Sequence, residues 1–496
     1  MPKLTSQAAI IGFGRLLTIA AASATLMVLA RVMPDYERYG AICQLILIYM
    51  VFSQIAAAGL PHSLYYFLPR YAGGERRAFL TQTIALLMFS GLALGAGLFF
   101  CANLLGTILK SPLLPPLLQI FALYPFFTLP TMAVESVMLH HNRPIYSVIF
   151  NIAGRVGMFC SLVIPSLLGA DLDVVVWAWV GMAVIMWVIA LVLMLSSVHG
   201  LPLIWNREMF RDEMRFSIPL AITTLFALAA VYLDRFLVSN LYGSGRFGIY
   251  NNATIIIPSL GMVANAGSAV LMAEVSKRTS AGDFTSFLPI WHNAMMKAAV
   301  ILFSAQGFLF FWKNETMHVL FSHRFAESAE IFAIYVWIIP ASMFIIQSIF
   351  VAMGATRMYL IVPIVGLVLQ VISISVCWYW LGFIGIAVGA VVGRYLGIFV
   401  ASYLFVNKLT TIGWKRFMPW IKLLVSMLTA LSAGALSRLL LYTPIRELPL
   451  LMIFGIGLLV YLGLYVLGMH FVRLLNYLVP VRYLPARWYP RPEVKV

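Results

Sequence analysis

Apolar runs of about 20 residues, the length that carries a helix across a bilayer, recur along the chain between short polar breaks. Each such run must satisfy its own backbone hydrogen bonds inside the hydrocarbon, which selects helices. Fourteen spans are predicted, at residues 7–33, 41–67, 79–105, 114–138, 145–169, 174–196, 215–240, 249–275, 291–312, 328–353, 358–380, 382–406, 418–441 and 449–472. Ala-Ser-Ala at positions 22–24 mimics a signal-peptidase site, but the first run continues past it and is long enough to span. The pattern predicts an all-α polytopic membrane protein.

Composition agrees. Of 496 residues, 62% are hydrophobic and 10% charged, where soluble domains hold about 45–50% apolar and about 25% charged residues. Soluble, disordered and disulfide-scaffold classes are excluded. Cys43, Cys101, Cys160 and Cys377 lie in apolar runs with no C-x-x-C spacing, and read as small buried or lipid-facing residues. The 33 Lys and Arg against 17 Asp and Glu leave a net charge of +16. An even span count puts both termini on one side, and the positive-inside rule makes that side cytoplasmic. Inside segments then hold roughly 20 cations, among them Arg70, Arg76, Arg77, Arg207, Arg211, Arg215, Lys277, Arg278, Lys408, Lys415 and Arg416, and outside loops about 7. Such dispersed basic loops serve orientation and contact with membrane lipid, not nucleic-acid binding.

No apparatus for bond-making chemistry is visible. Loops between spans stay under about 20 residues, too short for a nucleotide-binding domain or a sizeable catalytic loop. The patterns G-x-x-x-x-G-K-[ST], H-E-x-x-H and G-x-S-x-G are absent, and Gly12-Phe13-Gly14 reads as helix packing. The chain is therefore not expected to be an enzyme, and no cofactor or metal is expected. Pro61, Pro130, Pro165, Pro258, Pro340 and Pro363 interrupt spans and predict kinks. Gly385, Gly389, Gly393 and Gly397 form a stripe for close packing or for a moving gate. Tryptophans such as Trp177, Trp179, Trp378, Trp380 and Trp420 fall near span ends, as interfacial belts require.

The sequence also repeats. At an offset of 208, the segment from Arg38 lies over the segment from Arg246, pairing Gly40 with Gly248, Ala58 with Ala266, Gly59 with Gly267, Arg70 with Arg278, Gly74 with Gly282 and Phe79 with Phe287. The repeat maps span 2 onto span 8 in the same orientation, so two six-helix lobes are expected, related by an axis along the membrane normal. This gives a first lobe at 1–199, a linker at 200–214, a second lobe at 215–408, two further helices within 409–473 and a basic tail at 474–496.

LARVMPDYERYG at 29–40 and GLPHSLYYFLPR at 59–70 resemble the first lobe of the polysaccharide transporters, the Wzx-type oligosaccharide flippases of the multidrug/oligosaccharidyl-lipid/polysaccharide superfamily. Asp234-Arg235, Tyr242-Gly243, Phe247-Gly248-Ile249-Tyr250 and Ala253 resemble the opening of its second lobe. The resemblance implies flipping of an undecaprenyl-pyrophosphate-linked oligosaccharide from the cytoplasmic to the outer leaflet of a bacterial inner membrane. Polysaccharide polymerase or export machinery would be partners. Sister families carry lipid II or export drugs, and the motifs leave both open.

Cations inside the hydrocarbon cost roughly 2.5 kcal/mol or more, so they mark candidate function. Arg155 and Arg394 lie near the middle of their spans, beyond the reach of snorkelling, and must face a wet cavity or be locked to a carbonyl or to Gln54 or Gln347. Arg15, Arg235 and Lys297 are further candidates for an anion-binding central cavity, since a guanidinium fork suits a pyrophosphate. Asp234 reads as a local counter-ion or as an ion-coupling site; Arg31 reads as an interfacial anchor.

Overall fold

A computed structural model describes residues 2–33, 35–71, 73–197, 205–254, 288–344, 346, 350, 356–406, 413, 417–441, 448–474 and 477. The described residues are helical, without strands. The chain divides into two compact units, Met1–Asn251 and Asn252–Val496. Ten described helices are long and apolar enough to cross a membrane, and two shorter apolar stretches, Leu17–Val32 and Ser328–Met343, fall in the first and tenth predicted spans. Predicted span 249–275 lies largely outside the described residues, as do Gln347, Pro258, Arg278 and most of the basic tail.

The first unit contains α1 (Pro2–Val32), α2 (Tyr36–Ala57), α3 (Leu60–Phe67), α4 (Gly73–Phe100), α5 (Ala102–Ile108), α6 (Leu114–Phe121), α7 (Tyr124–Thr128), α8 (Val134–His140), α9 (Pro144–Leu167), α10 (Leu172–Ser196) and nearly all of α11 (Arg207–Thr254). The predicted span 41–67 is two helices. Pro61 has no N–H and its ring clashes with the carbonyl of a preceding turn, so α2 stops and the chain turns through left-handed Ala58 (φ 48°) and Gly59 (φ 74°) before α3. The predicted span 114–138 is likewise interrupted, with a 3₁₀ turn at Pro130–Ala133 between α7 and α8. Near the linker, Leu60, Leu64, Phe79, Leu80, Ala133, Val137, Met194 and Met209 share one core. Trp177, Trp378, Trp380 and Trp420 are exposed, as a belt requires, whereas Trp179 is buried against Phe121 and Tyr124.

α11 is broken at Gly243 (φ 79°, ψ −176°), where the chain folds back. Both ends of its longer limb are fastened within the first unit. At the Gly243 end, Gln44 Nε2 donates to Leu109 O (3.0 Å) and Ser239 Oγ (2.8 Å), Asn240 Nδ2 to Ile108 O (2.6 Å), and Lys110 Nζ to Leu241 O (3.0 Å). There the α2 backbone runs so close that a Cβ on Gly40 would overlap the Ser244 carbonyl, and a Cβ on Gly248 would lie 3.5 Å from Gly40 Cα. The two glycines paired by the repeat thus touch. At the linker end, Phe216 stacks on Tyr66 at 5.1 Å and meets Phe67 edge-on at 5.8 Å.

The second unit holds α12 (Leu288–Phe311), α13 (Lys313–Phe321), α14 (Ser328–Tyr335), α15 (Thr356–Leu404), α16 (Trp420–Leu441) and α17 (Leu450–Phe471). α15 covers two predicted spans and reverses at Gly382 (φ 60°, ψ −132°). The glycine stripe packs its two limbs together, since Cβ atoms on Gly385, Gly389 and Gly393 would overlap Cys377, Ile374 and Gln370. The last two helices dock on α12, with Tyr461 donating to Ser304 O (2.7 Å) and Tyr465 to Val300 O (2.8 Å). At the far end of α12, Arg438 pairs with Glu315 at 2.6 Å and lies over the Trp312 ring.

Replacing Gly40 by Val is expected to destabilise the fold by about 1–3 kcal/mol through overpacking. Gly97→Ala, whose Cβ would meet nothing within 4 Å, should stay within about 0.5 kcal/mol. Thermal unfolding of the detergent-solubilised protein measures both.

Candidate functional site

The residues singled out in the sequence are spread over both units. Arg15, Arg155, Asp234 and Arg235 belong to the first and Lys297 and Arg394 to the second. Arg15 lies on α1, its side chain outside the described set. Lys297 is exposed on α12, and Arg31 is exposed at the end of α1.

Arg155 and Arg394 are both exposed, and helix phase tells which way. On α9 the exposed apolar stripe is Ile145, Ile149, Val156, Ile164 and Leu167. At about 100° per residue this stripe centres roughly 120° from Arg155, while buried Pro144 and Leu162 fall within about 20° of it. The side-chain contact of Arg155 is with Met158 Sδ at 3.9 Å, not with Gln54. On α15 the exposed stripe is Val392, Leu396, Phe399 and Tyr403, on the side roughly opposite Arg394. Buried Ala387, Ala390 and Ala401 lie within about 40° of Arg394. Each arginine is therefore accessible on the packed side of its helix, away from the apolar stripe that suits lipid, and no ion pair holds either among the described residues.

Asp234 and Arg235 differ from these in being buried. The fold-back at Gly243 brings Tyr250 against Asp234, whose Oδ2 accepts the phenol at 2.8 Å. Phe247, Tyr250 and Ala253, among the residues that carry the family resemblance, are fully buried. Arg235 lies 5.2 Å from the Tyr232 ring. The arrangement sets a buried carboxyl against a phenol donor and offers no nucleophile-base pair among the described contacts. No group of three or more metal-ligating side chains gathers among the described residues.

One ionisable group escapes a reading of the sequence. Glu213 stands among Arg211, Asp212 and Arg215 in what reads as a solvated linker, yet it is fully buried. Its Oε1 accepts Ser63 Oγ of α3 and Thr83 Oγ1 of α4, each at 2.7 Å. The available signal was phase: Glu213 lies four residues from Met209 and from Ser217, both buried, whereas Arg211, Asp212 and Arg215 fall on exposed faces.

The family model described as "Polysaccharide biosynthesis protein" matches residues 4–275. Among solved structures, the lipid II flippase MurJ in an inward closed conformation superposes with a TM-score of 0.72 at 16% identity, over 93% of this chain and 99% of that one. A multidrug resistance MATE family transporter of the MOP superfamily, inward-facing, gives 0.63 at 12% identity, over 79% and 96% of the two chains. The MATE multidrug transporter DinF-BH gives 0.57 at 12%, over 82% and 95%. No curated protein matches the chain. Similarity at these identities establishes the fold, and the family match spans more than half of the sequence. The chain belongs to the polysaccharide biosynthesis protein family and has the fold of the MOP-superfamily transporters.

Proposed function

We propose that the protein flips an undecaprenyl-pyrophosphate-linked oligosaccharide from the cytoplasmic to the outer leaflet of a bacterial inner membrane, both termini being cytoplasmic, to supply cell-surface polysaccharide. Membership of the polysaccharide biosynthesis family carries the reading. A neighbour of the same fold is named a lipid II flippase, which supports a lipid-borne cargo. Lobes at 1–199 and 215–408, joined through 200–214, would work by alternating access.

In this reading Arg155 and Arg394 meet the pyrophosphate in a central cavity, with Arg15, Arg235 and Lys297 adding positive potential. Two observations support it: both arginines are accessible, and both stand away from the exposed apolar stripes of their helices. An isolated guanidinium at membrane depth is stable only where water or an anion reaches it. Asp234 would couple transport to an ion, its charge tuned by Tyr250 and Arg235. The polymerase or export machinery that consumes the flipped unit would act next.

Deleting the gene tests the function. Lipid-linked repeat units should accumulate on the cytoplasmic leaflet, and accumulation on the outer leaflet, or none, would refute it. Accumulated lipid II would instead favour the muropeptide cargo. Arg155→Ala and Arg394→Ala should each slow flipping in proteoliposomes roughly tenfold or more, as expected when a charged hydrogen bond worth about 1.5–3 kcal/mol is lost; each Lys variant should be slowed less than its Ala counterpart. Tyr250→Phe removes the phenol donor to Asp234 and should lower stability by about 1–3 kcal/mol, read by thermal unfolding.

A further inference from the structure

The hydroxyls around Glu213 are short of protons. Ser63 Oγ is 2.7 Å from both Leu60 O and Glu213 Oε1, and Thr83 Oγ1 is 3.0 Å from Phe79 O and 2.7 Å from Glu213 Oε1. Each hydroxyl carries one proton, so with an ionised carboxylate four oxygen–oxygen contacts share two protons. Two contacts would then set lone pair against lone pair. A protonated carboxyl adds a third proton: Oε1–H donates to one hydroxyl, which in turn donates its own O–H as a hydrogen bond to its helix carbonyl. The other oxygen, Oε2, is buried with no hydrogen-bond partner among the described residues, which costs far less for a neutral carbonyl than for half of a carboxylate.

We propose that Glu213 is a proton-binding site, separate from Asp234, and that its protonated carboxyl fastens the linker end of α11 to α3 and α4. Ionisation releases that end, because a buried charge without a counter-ion favours exit to water. The ionisable neighbours do not supply that counter-ion. On its own helix Arg211, Asp212 and Arg215 are exposed; His62 on α3 is exposed; Arg70 lies on the Tyr66 ring; Arg76 donates to Tyr71 O, and Tyr71 feels the charges of Glu75, Asp212 and Glu213. Arg77 on α4 and Glu135, His140 and His141 on α8 form no ion pair with Glu213 among the described residues.

In sequence Glu213 precedes the predicted span 215–240. Burial pushes its carboxyl up from 4.5 to about 7, against the two hydroxyls that pull it down. Because the fastened state has the higher value, its advantage is complete below about 4.5, declines as pH rises and is lost above about 7.

The test uses the full-length protein in lipid nanodiscs, without cargo, so it is independent of the proposed flipping. An infrared titration from about pH 5 to about pH 9 should reveal a protonated-carboxyl band that disappears near pH 7 and is missing in Glu213→Gln. Hydrogen exchange over residues 206–217, corrected for intrinsic rates, should lose protection over the same pH range in the wild type. Glu213→Gln, which mimics the neutral acid, should keep that protection at high pH. An unchanged band in Glu213→Gln, or wild-type protection that ignores pH, overturns the proposal. If Glu213→Gln does not fold, the Ser63→Ala, Thr83→Val double variant decides: its midpoint should shift away from the wild-type value, and an unmoved midpoint overturns the proposal.

Discussion

Two backbones can approach at Gly40 only because no side chain stands between them, and much of the first unit depends on that approach. With α2 held against the Gly243 turn, Gln44 reaches both Leu109 O and Ser239, and Asn240 and Lys110 close the remaining carbonyls. In a region where each unsatisfied polar group costs several kcal/mol, these donors turn a helix break into a closed structure. The break in turn carries Tyr250 onto Asp234. A glycine at one helix start thus governs the surroundings of a carboxyl 194 residues further along the chain.

The two fastenings of α11 are chemically unlike. At the Gly243 end, amide and ammonium donors meet backbone carbonyls. The linker end depends on hydroxyls around one carboxyl, a group whose charge is set by its surroundings. A helix held by one fixed and one titratable joint can swing about the fixed one.

Hydropathy made most helices legible, because the bilayer constrains length and composition together. Breaks were legible in part. Pro61 signalled one inside a span, and the gaps between predicted spans 215–240 and 249–275 and between 358–380 and 382–406 fall on the reversals at Gly243 and Gly382. The depth of Arg155 and Arg394 could be read by counting residues; their direction needed the exposure of the neighbouring stripes, which only packing reveals. Glu213 was hidden by its neighbours, since a cluster of mixed charges reads as solvated whatever the phase of its members. The repeat was visible as a row of matched glycines and arginines, while the contact between Gly40 and Gly248 is a tertiary fact.

The reversal in α15 bears on how the chain enters its membrane. Only Gly382 departs from helical geometry between two limbs with a mean hydropathy of 2.3 in their most apolar stretch. No polar loop of any length has to be dragged through the hydrocarbon between them, and the glycine stripe lets the limbs close on each other without rearrangement. Such a pair can partition from the insertion machinery as a finished hairpin, its tip crossing at little more than the cost of one exposed turn of backbone.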